Sequence, residues 1–165
     1  MKRVKVVKFG GTSLADANQI RKVIDIVQSD SRRRYVVVSA PGKRTRDDQK
    51  ITDLLYGLRN GIDGLSRENI LDIIEDRFHT LLAELDLKCD LVPYLKTLRY
   101  PTEGNTVDFL ASRGEYLSAR ILAECDSRFM ATTSSPSRSA SWSISFIWLS
   151  MLSTCRSSLS VLLRA

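Results

Sequence analysis

The sequence predicts an α/β fold built on a parallel sheet. Three observations carry this. The run VKVVKF at 4–9 is short, apolar and β-branched, as a buried strand requires. Ile20, Val23, Ile24 and Val27 then recur at helical spacing. A second β-branched run, RRRYVVVSAPG at 32–42, is stopped by Pro41 and Gly42. Strand, helix and strand in sequence make a βαβ unit, whose crossover returns the chain to run the second strand parallel to the first.

The elements follow in order. The first helix spans about 15–29. The 43–50 segment, KRTRDDQK, is polar throughout and predicts a mobile loop. ITDLLYGL at 51–58 starts a short helix that stops near Gly61. The most secure helix comes next. Ile70, Ile73, Ile74, Phe78, Leu81, Leu82 and Leu85 form one face, and Ser66 is a good N-cap. NTVDFLASRGEYLSARILAE at 105–124 is a further helix. There Val107, Leu110, Ala111, Gly114, Leu117, Ile121 and Leu122 line one side. Asn105 can cap that helix, and Asp108 suits its positive end. Gly114 in mid-helix costs about 1 kcal/mol relative to alanine. Close approach of another backbone or a ligand would compensate; a simple packing glycine between two surface charges, Arg113 and Glu115, is the plainer account.

Composition bounds the function. The chain has 165 residues, 43% hydrophobic and 27% charged, which suits one soluble domain of ordinary size. The net charge of +6 suits an anionic partner without identifying it. Arg32–Arg34 read as a solvated strand entrance rather than a nucleic-acid patch, since no aromatics accompany them. Cys89, Cys125 and Cys155 are widely separated and form neither a metal set nor a disulfide framework. His79 has no carboxylate or cysteine cluster beside it, and it reads as a surface or boundary residue. No metal-ligand set is expected. The N-terminus lacks the apolar core of a secretory signal, so a cytoplasmic setting is expected.

The chemistry concentrates at the end of the first strand. KFGGTS places Lys8 at the strand's carboxyl end, then Gly10, Gly11, Thr12 and Ser13, then the helix. Helix amino ends present unpaired N–H groups and partial positive charge, so they attract anions. Two glycines would let a phosphate approach the backbone. Thr12 and Ser13 would add hydroxyl donors, and Lys8 a charge, where open α/β sheets bind ligands. The pattern is neither G-x-x-x-x-G-K-[ST] nor G-x-G-x-x-G. From the residues alone it is either a phosphate loop or an ordinary strand-to-helix turn.

KFGGTS, then VVVSAPG, ITDLLY and FLASRGEYLSARILA in that order, resembles the aspartate kinases of the amino-acid kinase family. The match covers about residues 1–124. The resemblance implies an open, mostly parallel αβα sandwich. It implies transfer of the γ-phosphoryl group of ATP, with Mg2+, to the side-chain carboxylate of L-aspartate, the entry to lysine, threonine and methionine synthesis. It assigns Lys8, Phe9, Gly10, Gly11, Thr12, Ser13 and Ser39 to ATP and its phosphates, with Lys8 catalytic. Thr52, Arg113, Gly114 and Glu115 fall to aspartate. Intact family members are expected to form homo-oligomers, with no nucleic acid or membrane as partner.

The resemblance stops near Asp126. From Ser127 onward the chain holds no Asp, Glu, Lys, Gly or His, and a third of it is serine. Two domains are therefore expected: 1–126, the N-terminal part of a kinase domain, and 127–165, a poorly ordered and aberrant tail of the kind a frameshift would produce. The apolar run WSISFIWLSML at 142–152 is too short to span a bilayer. The family part beyond residue 126 would supply an arginine for the substrate's α-carboxylate and most of the adenine pocket. Low activity is thus expected of this chain alone. A non-catalytic remnant or interaction module that keeps the phosphate loop is the alternative, and a basic nucleic-acid binder rests on charge only.

Overall fold

Strand β1, Lys5–Phe9, and strand β2, Arg33–Val38, form a parallel ladder in which Val7 faces Val36 and Phe9 faces Val38. The computed structural model describes residues 3–100 and 106–132, with side chains to residue 126. Helix α1, Ala17–Gln28, makes the crossover between the strands. The anticipated βαβ unit is thus present, and the fold is α/β with a parallel sheet.

Alternation along the strands decides what the sheet buries. Val36 and Val38 are buried, and Val7 and Phe9 pack beside them against the core. Helices α1 and α5 (Val107–Thr132) both pack on β2 and on each other, covering this face. The opposite face carries Val4, Val6 and Tyr35, which are exposed by 49%, 64% and 37%. The expectation that 4–9 is a buried strand is therefore corrected: β1 is buried on one side only. A β-branched run reads the same whether one face or two are covered.

The crossover is closed by charges. Lys5 and Arg32 both reach Asp30 at 2.8 Å. Arg33 donates to the Ile26 carbonyl and to Ser29 Oγ, satisfying the carboxyl end of α1. The basic run at 32–34 therefore has two arginines at work in the turn itself.

Helix α2, Ile51–Asn60, ends at Gly61, whose φ of 81° only glycine adopts freely. It packs on α5 and on α3, Arg67–Glu84. Ser66 caps α3, accepting from the Asn69 N–H at 3.1 Å, as its sequence position suggests. Two details differ from the predicted face. Ile73 is 41% exposed, and Leu71 is buried. Helix α4, Val92–Arg99, lies on α3 and was not anticipated; Pro93 in its first turn is its main signal. Asn105 lies outside the described residues, and Thr106 Oγ1 accepts from the Phe109 N–H. Helix α5 runs to Thr132, so the expected boundary at 126 falls inside a helix. The rest of the expected tail lies outside the described residues, as does Cys155. His79 is exposed, as expected.

Candidate functional site

The carboxyl ends of both strands open on one cleft of about 470 Å3. After Phe9 the chain does not enter α1 directly. Gly11–Leu14 form a 3-10 turn, with the Ser13 N–H on the Gly10 carbonyl at 3.0 Å. Asp16 then caps α1, accepting from the Gln19 N–H at 2.9 Å. The anion argument made for this helix therefore changes. A carboxylate already occupies the amino end of α1, and the glycine loop is a separate turn before it.

The second wall follows β2. The Ser39 N–H donates to the Phe9 carbonyl at 3.2 Å, and the Gly42 N–H to the Gly11 carbonyl at 2.8 Å, so the two loops run on as a pair beyond the strands. Their contact explains two glycines. A Cβ on Gly11 would lie 2.8 Å from the Ala40 carbonyl oxygen, and one on Gly42 2.8 Å from the Gly11 carbonyl carbon. A Cβ on Gly10 would meet nothing within 4 Å, so that position faces open space.

Of the residues anticipated for the site, Gly11, Thr12, Ser39, Thr52 and Glu115 line the cleft. Lys8 is exposed, one residue before the end of β1, and its ammonium is close enough to act electrostatically on Glu115. Burial pushes the Glu115 carboxyl above its ordinary value, and Lys8 partly offsets this. Phe9, which ends β1, and Gly10 and Ser13 of the loop are not among the lining residues.

Arg113 and Gly114 stand apart from the cleft. The Arg113 guanidinium lies 4.3 Å from the centre of the Phe109 ring and 4.9 Å from that of Tyr116. Gly114 meets the core: a Cβ there would sit 2.6 Å from Ala40 Cβ and 3.2 Å from Ile51 Cγ2. Its compensation is close packing of α5 against the end of β2 and the start of α2. That packing brings Glu115, the next residue, to the cleft.

Sequence reasoning missed Lys43 and Lys50, which also line the cleft. Both flank the segment expected to be a mobile loop. It is a loop, but it folds around one carboxylate. Asp48 accepts from the Arg44 backbone N–H at 2.9 Å and from Arg44 Nε at 3.0 Å, and is also held by Arg77. Burial raises the Asp48 carboxyl, but these donors outweigh it and hold it well below the usual carboxylate range. Lys50 precedes α2, whose amino end has no side-chain cap and opens on the cleft through Thr52. Lys43 and Lys50 thus make the cleft cationic, and Glu115 adds one carboxylate to its lining. No group of three or more His, Cys, Asp or Glu residues suited to a metal occurs among the described residues. The hydroxyls of Thr12, Ser39 and Thr52 with one carboxylate suit a magnesium ion that arrives on nucleotide phosphates rather than one held by the protein. No helix among the described residues is long and apolar enough to cross a membrane.

Comparison with known proteins places the chain in a family. The family model described as "Amino acid kinase family" matches residues 3–140. Aspartokinase 3 of Bacillus subtilis is 36% identical over 132 residues, 73% of this chain and 28% of that protein. The crystal structure of Clostridium acetobutylicum aspartate kinase superposes with a TM-score of 0.67 at 42% identity, covering 76% of this chain and 29% of that one. Escherichia coli aspartokinase III, solved in complex with aspartate and ADP, superposes with a TM-score of 0.58 at 29% identity, covering 74% of this chain and 28% of that one. This chain therefore spans under a third of the length of each of these three relatives. On the family model, the shared fold and the four segments in register, the chain belongs to the amino acid kinase family.

Proposed function

We propose that the cleft is the phosphoryl-transfer end of an aspartate kinase site, moving the γ-phosphoryl group of ATP to the side-chain carboxylate of L-aspartate. The observation that carries this is the paired-loop wall, Gly11 against Gly42, in a cleft that Lys43, Lys50 and Glu115 also line, with Lys8 near enough to act electrostatically on Glu115. The relative solved with aspartate and ADP supports the choice of ligands. The setting would be cytoplasmic amino-acid synthesis leading to lysine, threonine and methionine, and intact relatives would act as homo-oligomers.

The chemistry needs little from the protein. An aspartate carboxylate oxygen attacks the γ-phosphorus, the bond to the β–γ bridging oxygen breaks, and ADP leaves with that electron pair. The nucleophile is already ionised at neutral pH, so no general base is required. Catalysis reduces to positioning and to neutralising charge on the phosphate oxygens. Lys8 supplies that charge at the transferred group. Gly10, Gly11, Thr12, Ser13 and Ser39 hold the phosphates, with Phe9 fixing the strand end. Thr52 and Glu115 hold aspartate, Glu115 through its ammonium group, while Arg113 and Gly114 act by placing Glu115. Magnesium, when bound with ATP, neutralises part of the phosphate charge.

Incubating the chain with ATP, aspartate and hydroxylamine tests this, since an acyl phosphate is trapped as a hydroxamate. Slow, aspartate-dependent hydroxamate is expected, well below the rate of a full-length relative. A folded chain that binds ATP and yields none would favour the second reading, a binding module without turnover. That reading draws on Arg113, stacked on two rings rather than lining the cleft.

A further inference from the structure

Arg77 lies on α3, remote in sequence from both loops, yet it is 3% exposed. A buried guanidinium is costly unless its protons are taken up. Three segments supply acceptors to its two Nη groups, while its buried Nε has none among the described residues. Nη1 donates to Asp48 Oδ2 at 2.5 Å. Nη2 donates to the Gly42 carbonyl at 2.5 Å and to the Ala15 carbonyl at 3.2 Å. Ala15 follows the first turn, Gly42 belongs to the second loop, and Asp48 centres the segment that ends in Lys43 and Lys50. One side chain thus ties together the chain after the first turn, the second loop and the 43–50 segment.

We propose that Arg77 is a positioning residue that sets the two loops, before any ligand arrives, in the arrangement that receives phosphate. The planar trans peptide gives this a direction. With the Gly42 carbonyl turned inward to Arg77, the Lys43 N–H points the opposite way. Gly42 and Lys43 both line the cleft. The Lys43 backbone N–H is accordingly a donor for a nucleotide phosphate, held by a residue that never touches the ligand. Asp48 completes the device by fixing the guanidinium and the lysine-bearing loop together. The inference rests on the phosphate-binding reading above.

Hydrogen exchange on the full chain without ligand, comparing wild type with Arg77→Met and Asp48→Asn, tests it. Both variants should exchange about tenfold faster or more at residues 10–16 and 39–50, with the β1 and β2 amides little changed. Affinity for ADP with magnesium should fall about tenfold in both. Uniform acceleration along the chain, or unchanged exchange in the two loops, would overturn the proposal. Local acceleration with unchanged ADP affinity would overturn it too. Should Arg77→Met fail to fold, Asp48→Asn, which keeps the side-chain volume, decides by the same comparison. If wild type binds no ADP, the nucleotide reading fails, while the exchange comparison still decides whether Arg77 sets the loops.

Discussion

Glu115 shows how a single residue trades stability for a site. Its carboxyl is raised by burial, so folding favours the protonated form. The sign follows from linkage: the folded state binds this proton more tightly than the unfolded one. Stability therefore falls as pH rises from the ordinary carboxylate value, 4.5, through the raised value. Glu115→Gln should melt higher than wild type at pH 7, and the difference should vanish below the ordinary value. The same variant should bind aspartate about tenfold more weakly, having lost a charged partner for the ammonium group. Thermal melts across pH and aspartate titrations check both. Ser39, Thr52 and Glu115, which line the cleft, each sit inside a recognisable run. Arg77 does not: DRFHT matches no motif, and its partners are two backbone carbonyls and a distant aspartate.

At the scale of elements, β-branched runs located both strands, and apolar runs and spacing four of the five α-helices, among the described residues. They failed where the signal is not periodic. The 3-10 turn at Gly11–Leu14 is too short to show a repeat, and α4 is only eight residues long. The Asp16 cap was readable in LADANQ, yet the glycines before it drew the helix start too early. Gly114 marks a close joint between α5, the start of α2 and the end of β2. Alanine there gains about 1 kcal/mol of helix propensity but drives a methyl into Ala40, Ile51 and Leu55, at about 1–3 kcal/mol. Gly114→Ala should therefore lower the melting temperature by several degrees. A rise would mean that α5 moves away easily, and Glu115 with it.

At the scale of the whole molecule, one face of the sheet stays uncovered among the described residues, with Val4, Val6 and Tyr35 exposed. Each strand also pairs on one side only. Open edges and apolar faces drive association, so the chain expressed alone should be largely insoluble. Val6→Lys should raise the soluble fraction in a sedimentation assay, while a soluble, monodisperse wild-type monomer that melts cooperatively would contradict this. The central claim concerns the cleft itself, and ATP binding measured calorimetrically on refolded chain tests it most directly. Saturable binding is predicted, weakened about tenfold or more by Lys8→Ala at unchanged melting temperature. Folded chain that binds no ATP, or binds it equally well without Lys8, would contradict the account.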